Sequence, residues 1–263
     1  MEFAIPILLF VGLALFAGIV LTVMARKFPG ETTDVENSVL DALPGLNCGA
    51  CGYAGCGEYA HSIVTSNAPI NACIPGGEES ARKISEITGS EFTPTVSIKA
   101  FVRCTGSYDV TSDKYDYRGV LSCAASAKFY GGRSSCRFGC LGFGDCQEVC
   151  PNKAIKVENG CARVNPSLCT GCMLCASKCP KNLIVPVPSN QRVITSCSSE
   201  GFGKEVMSSC KNGCIACKKC VKLCPNGAIE MKNNLPLIDP ELCDACGKCA
   251  EGCPTKALKL IKR

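Results

Sequence analysis

Three runs of cysteine share one spacing: Cys169-x2-Cys172-x2-Cys175-x3-Cys179-Pro180, Cys214-x2-Cys217-x2-Cys220-x3-Cys224-Pro225 and Cys243-x2-Cys246-x2-Cys249-x3-Cys253-Pro254. A looser fourth run, Cys136-x3-Cys140-x5-Cys146-x3-Cys150-Pro151, precedes them. Three thiolates at x2 spacing in one tight loop can cap three irons of a [4Fe-4S] cubane while the backbone N–H groups between them turn towards its sulfurs. Gly171, Ala216, Ala245 and Gly247 are small enough to permit that wrap. The cysteine before proline lies too far along to reach the same cluster and serves a neighbouring one, so runs must work in pairs. Structural zinc also uses paired C-x2-C elements, but it needs neither a third cysteine at x2 nor the Cys-Pro register.

The Cys-Pro positions 150, 179, 224 and 253 are separated by 29, 45 and 29 residues, which describes two modules in series with an insertion between them. Each module pattern is that of a bacterial two-cluster ferredoxin. In the first, Cys140, Cys146 and Cys179 go to one cluster with Cys136 as the expected fourth ligand, and Cys150, Cys169, Cys172 and Cys175 go to the other. In the second, Cys214, Cys217, Cys220 and Cys253 form one set and Cys224, Cys243, Cys246 and Cys249 the other. Apolar pairs recur after each run, at Ala154-Ile155, Leu183-Ile184, Ala228-Ile229 and Ala257-Leu258, placed to shield the clusters from water. Hairpins are predicted from Ala154 to Val157 returning through Asn159-Gly160, and from Ala228 to Met231 returning through Asn233-Asn234.

A different motif stands near the start: Cys48, Cys51 and Cys56, with Cys73 downstream, make a fifth [4Fe-4S] set of four thiolates. The segment after Cys56 reads as a helix whose first N–H groups would face the cluster anion. Thr33 and Glu36 form a capping box for a short helix that must stop by Pro44. His61, the sole histidine, has no acid-base partner nearby in the chain and reads as a structural or surface residue.

Five cysteines remain: Cys104, Cys123, Cys161, Cys197 and Cys210. Cys161, on a predicted hairpin strand, reads as a small buried apolar residue. Cys104, Cys123, Cys197 and Cys210 are the number a sixth cluster needs, although their spacing matches no standard loop. The expected cofactors are therefore five [4Fe-4S] clusters, or six, with iron held by cysteine throughout.

The scaffold around these ligands is unusual in composition. Twenty-five cysteines, no Trp and 6% aromatic residues in 263 indicate a chain organised by inorganic centres rather than one large apolar core. Disulfides would belong to a small secreted domain, whereas thiolate ligands need a reducing compartment. Phe3 to Ala25 is 23 residues without a charge, followed at once by Arg26-Lys27. That length suits a single transmembrane helix. No basic n-region or cleavage site marks it as a signal peptide, and the basic pair after it places the cysteine-rich body on the cytoplasmic side of the inner membrane. Ala14 and Gly18 offer a small-xxx-small face for packing on another membrane helix.

The expected fold is α+β: a transmembrane anchor (1–27), an N-terminal [4Fe-4S] domain (28–94), a connecting segment (95–135), a first 2[4Fe-4S] ferredoxin module (136–186), an insertion (187–210) and a second such module (211–263).

The combination resembles the B subunit of the Rnf complex, the membrane ferredoxin:NAD+ oxidoreductase of bacteria and some archaea. The matching residues are the single N-terminal span, Ala42 to Cys56, the Cys73-Ile-Pro-Gly-Gly77 signature and the ferredoxin runs. The resemblance implies one component of an ion-translocating oxidoreductase that is itself an electron carrier. It would accept electrons from soluble ferredoxin and pass them to membrane and flavin-bearing partner subunits, with the flow coupled to Na+ or H+ translocation. Two modules make this a long form of the family. No G-x-G-x-x-G opens a helix after a strand, and no catalytic triad or carboxylate pair is evident, so nicotinamide and flavin chemistry belongs to other subunits.

Charge is asymmetric. Residues 31–94 carry a net −7, 95–206 a net +6 and 207–263 a net +5. Lys211, Lys218, Lys219, Lys222, Lys248, Lys256, Lys259, Lys262 and Arg263 form a basic end suited to an acidic redox protein. Nucleic acid is not expected there, because stacking aromatics are sparse. Electrons are expected to enter at this end and leave through the Cys48 to Cys73 cluster beside the anchor.

Overall fold

The computed structural model describes residues 4–27, 33–92, 94 and 96–261, with side chains of the first helix placed at Leu9 and 11–23. Residues 28–32, Lys262 and Arg263, and the side chains of Arg26 and Lys27, lie outside the described residues. Helix α1 runs from Ala4 to Lys27, 24 residues. Its described side chains, Leu13, Leu15, Phe16, Ile19 and Leu21 among them, are exposed rather than packed on the protein. Among the described residues no helix is long and apolar enough to cross a membrane, so the anchor expected at 1–27 is not shown by them.

Helix α2 (Asp34–Ala42) starts where Thr33 Oγ1 accepts the Glu36 N–H at 3.3 Å. It ends as Leu43 turns extended ahead of Pro44, because the residue before proline avoids the helical region. Helices α3 (Cys56–Ser66) and α4 (Gly77–Thr88) pack on α2. Val39, Tyr59, Ile63 and Ile84 fill the space between them, each at most 5% exposed, and full burial of such a side chain contributes about 1.5–3 kcal/mol. This small three-helix core positions the first cysteine set. His61 is 59% exposed, with Nδ1 at 3.3 Å from Glu36 Oε2; it is a surface residue resting against a buried glutamate.

The remainder is two copies of one design. Strand β1 (Ile98–Val102) leads into the short helices α5 (Cys123–Ala127) and α6 (Asp145–Glu148). The hairpin β2 (Ile155–Glu158) and β3 (Cys161–Val164), helix α7 (Leu174–Lys178) and strand β4 (Ile184–Pro188) complete the first copy. The second copy is β5 (Val193–Thr195), α8 (Gly203–Ser209), α9 (Lys219–Leu223), hairpin β6 (Ile229–Lys232) and β7 (Leu235–Ile238), α10 (Lys248–Glu251) and β8 (Leu258–Leu260). Both hairpins turn on residues with positive φ, Asn159 (47°) with Gly160 (75°) and Asn233 (49°) with Asn234 (61°), as the twist of a two-residue hairpin loop demands.

In each copy the leading strand pairs antiparallel with the last one, β1 with β4 and β5 with β8. The segment 95–135, read from the sequence as a connector, thus supplies a strand to the first module, and the 187–210 insertion supplies β5 to the second. Short strands of three to five residues carry little periodic signal, so their pairing was not legible in advance. The expected apolar pairs are all buried, none more than 6% exposed.

Candidate iron-sulfur centres

Cysteines line a cavity at several places, in groups of four. Cys150, Cys169, Cys172 and Cys175 surround one in the first module. Cys214, Cys217, Cys220 and Cys253 surround its counterpart in the second. Cys224, Cys243 and Cys249 pack in one core with Val193, Ile229 and Leu258, while Cys246 is exposed. Near the N-terminus, burial and then the charges of Cys56, Cys51 and Cys48 raise the Cys73 thiol, which places those four together. The Cys56 N–H at the start of α3 is taken by Asn47 Oδ1 at 2.8 Å, so this donor serves the loop rather than a cluster.

The sulfurs are positioned by backbone donors. Each cysteine before proline in the first three runs accepts the N–H four residues on: Ala154 to Cys150 Sγ at 3.2 Å, Leu183 to Cys179 Sγ at 3.5 Å and Ala228 to Cys224 Sγ at 3.3 Å. The shielding apolar pairs therefore also hold the ligands. The Ala100 N–H of β1 reaches Cys169 Sγ at 3.4 Å.

The donor sets fit an iron-sulfur cluster. Burial first, then the charges of neighbouring thiolates, pushes Cys175, Cys214 and Cys249 up to about 11 and Cys146 up to about 12. Four buried thiolates around one space repel each other and lose hydration. A cationic iron core removes both penalties, and soft thiolate is the ligand it takes. Among the described residues no group of three or more His, Cys, Asp or Glu is set to hold a single metal ion.

Known proteins match most of the chain. Models for a putative Fe-S cluster match residues 43–75, for a 4Fe-4S binding domain 140–154, and for 4Fe-4S dicluster domains 168–229 and 213–257. The B subunit of an ion-translocating oxidoreductase complex from Methanosarcina acetivorans is 39% identical over 233 residues, 88% of each chain. The chain belongs to the family of B subunits of ion-translocating oxidoreductase (Rnf) complexes. A B subunit from Acetobacterium woodii, named for a Na(+)-translocating ferredoxin:NAD(+) oxidoreductase complex, is 38% identical over 87% of this chain and 69% of its own. One from Clostridium ljungdahlii, named for a proton-translocating complex, is 36% identical over 88% and 82%.

In this Rnf B subunit the quartets differ from those read in the sequence by one exchange. Cys123, not Cys136, lines the cavity with Cys140, Cys146 and Cys179. Cys136, not Cys123, lines a separate cavity with Cys104, Cys197 and Cys210. The physical reason is in the repeat. An offset of 74 residues carries Cys140 to Cys214, Cys146 to Cys220 and Cys179 to Cys253, but it carries Phe143 to Cys217. The first module lacks its middle cysteine, and α5 brings Cys123 into the gap. Asp145 anchors that helix, its carboxylate accepting the N–H groups of Cys123 at 2.7 Å and Ala124 at 3.0 Å and the Ser122 hydroxyl at 2.9 Å. The same offset carries Cys136 to Cys210, a signal that pairs those two and that spacing within one run concealed. Cys161 is fully buried, and its counterpart at that offset is Leu235, also buried.

Proposed function

We propose that this Rnf B subunit is the electron carrier through which a reduced ferredoxin feeds a membrane-associated complex. Five [4Fe-4S] clusters would be held by Cys48, Cys51, Cys56 and Cys73; by Cys123, Cys140, Cys146 and Cys179; by Cys150, Cys169, Cys172 and Cys175; by Cys214, Cys217, Cys220 and Cys253; and by Cys224, Cys243, Cys246 and Cys249. Such clusters, when bound, supply one-electron redox chemistry. The chain's residues hold them by thiolate, aim N–H groups at the sulfurs and exclude water with the buried pairs after each run. NAD+ reduction and ion translocation, named for the relatives' complexes, would be carried out with other subunits.

The observation that carries this reading is the exposure of Cys217 and Cys246 in the second module, where the other ligands are wholly or partly buried. Lys218, Lys219 and Lys248 are exposed beside them. An acidic ferredoxin drawn to those lysines would come close to two cluster edges. Helix α1 is the proposed membrane anchor, which would keep the Cys48 to Cys73 cluster at the exit. The test is anaerobic mixing of the full chain with reduced ferredoxin. Bleaching of the iron-sulfur absorbance at ferredoxin's expense, and copurification of the chain with membrane subunits, are the expected results; a chain that ferredoxin cannot reduce would sink the proposal.

A further inference from the structure

Among the described residues a cysteine-lined cavity is left over once the five sets are assigned, and it lies between the two modules. Its walls carry Cys104 and Cys136 from the first module and Cys197 and Cys210 from the second. We infer that this cavity is a sixth [4Fe-4S] site, ligated by these four cysteines, through which electrons pass between the modules. The inference rests on the iron-sulfur reading of the chain but not on the identity of its redox partner.

The four thiols are placed as a set. Cys104 and Cys197 each stand two residues beyond the leading strand of their module, after Val102 of β1 and Thr195 of β5. Cys136 and Cys210 each stand four residues before the first cysteine of their module's opening run. Each module therefore contributes the same two positions, and the site has the pseudo-twofold symmetry of the repeat. A point one carbon out from Gly106 lies 3.4 Å from Cys104 Sγ and 3.9 Å from Cys210 Sγ, and glycine leaves that space between the two modules' sulfurs free of side chain.

Backbone donors serve these sulfurs as they do in the ferredoxin sets. Gly106 N–H reaches Cys104 Sγ at 3.3 Å and Ser199 N–H reaches Cys197 Sγ at 3.4 Å. Backbone at Phe138 serves Cys136, and backbone at Asn212 and Gly213 serves Cys210. Four packing thiols would have no reason to converge on a shared space lined by Thr105, Ser134, Ser196 and Ser198. Cys161, at 0% exposure, lines neither this cavity nor those of the ferredoxin quartets.

The interface around the cavity is fixed. Arg103 Nη2 donates to the Cys197 carbonyl at 3.2 Å, and Ser198 Oγ donates to the Arg103 carbonyl at 3.1 Å. Thr111 Oγ1 donates to the Ser209 carbonyl at 2.9 Å, and the Lys211 N–H to the Val110 carbonyl at 2.9 Å. Two further bonds connect the cavity to the sets on either side: the Cys140 N–H donates to Cys104 Sγ at 3.4 Å and the Cys214 N–H to Cys197 Sγ at 3.3 Å. Cys140 and Cys214 are themselves assigned to the neighbouring clusters, so on each side a single hydrogen bond joins ligand to ligand. One electron would move at a time, with no bond made or broken.

The test is native mass spectrometry and iron analysis of the anaerobically purified full chain, beside the Cys197→Ser/Cys210→Ser variant and a Cys161→Ala control. The inference expects six clusters and about 24 iron atoms in the wild type and in the control, and about 20 in the double variant. Five clusters in the wild type, or a double variant that keeps the wild-type iron, would overturn it. The wild-type count decides the matter even if the double variant folds poorly. A wild type without iron would sink the iron-sulfur reading as a whole, a result distinct from five clusters.

Discussion

The backbone N–H of Cys214 donates to Cys197 Sγ at 3.3 Å, and 74 residues earlier the N–H of Cys140 donates to Cys104 Sγ at 3.4 Å. In each module a cysteine of the neighbouring quartet thus donates to a sulfur that lines the cavity between the modules. A sulfur that accepts such a bond holds more negative charge at lower cost, and a cluster's potential depends on such bonds.

The exchange of Cys123 and Cys136 can be checked by additivity. Cys136→Ser/Cys210→Ser should remove about four irons, since both residues serve one cluster, whereas Cys123→Ser/Cys210→Ser should remove about eight. The reverse pattern, about eight irons lost from the Cys136 variant and about four from the Cys123 variant, would restore the assignment read from spacing alone.

Asp145 holds α5, and with it Cys123, in place. Its carboxyl lies below the usual range: burial works against ionisation, but the Cys123 and Ala124 N–H groups and the Ser122 hydroxyl outweigh it. Its stabilisation is present above the ordinary carboxylate pKa and is lost as pH falls through the lower folded value. Asp145→Ala should cost about 1–3 kcal/mol and release the iron of this cluster to a chelator first. Denaturant unfolding and timed chelation measure both, and an unchanged release rate would contradict the anchoring role.

Gly171 and Ala245 are equivalent positions in the two modules, with φ of 78° and 62°. A side chain is tolerated at 245, so the left-handed backbone alone does not demand glycine. At 171 an added Cβ would run into the Ile98 carbonyl at the start of β1. Gly171→Ala should therefore destabilise by about 1–3 kcal/mol, and Ala245→Gly should stay within about 1 kcal/mol. Thermal unfolding of both variants gives the comparison.

Lys218, Lys219, Lys222 and Lys248 are exposed on the second module. Changing all four to Glu should slow reduction by ferredoxin at least about tenfold at low salt and weaken or invert its salt dependence. Stopped-flow rates over a salt series would show it; an unchanged profile would move the docking site elsewhere.

Tyr59 ties the loop before Cys73 to the helical core, donating to the Pro69 carbonyl at 2.6 Å and accepting the Ala72 N–H at 3.1 Å. Burial pushes its phenol up to about 12, against the lowering effect of the Ala72 bond. A pKa raised on folding gives stability that is complete below the unfolded value near 10 and declines as pH rises towards 12. Tyr59→Phe should cost about 1–3 kcal/mol at neutral pH and flatten that alkaline decline, which unfolding across the alkaline range would record.

What the sequence determined by itself is local. Three thiolates within seven residues share a loop by covalent geometry, whatever the rest of the chain does. The turns at Asn159-Gly160 and Asn233-Asn234 follow from which residues accept positive φ. The apolar pairs after each run were legible because the repeat set them in register. Remote ligands are another matter. Whether Cys123 or Cys136 completes a set depends on α5 being carried to Phe143 and on β1 and β5 closing their modules against β4 and β8. The meeting of Cys104 and Cys136 with Cys197 and Cys210 depends on how the two modules dock. Such contacts join residues tens of positions apart through strands too short to announce themselves, so only the packed structure could decide them.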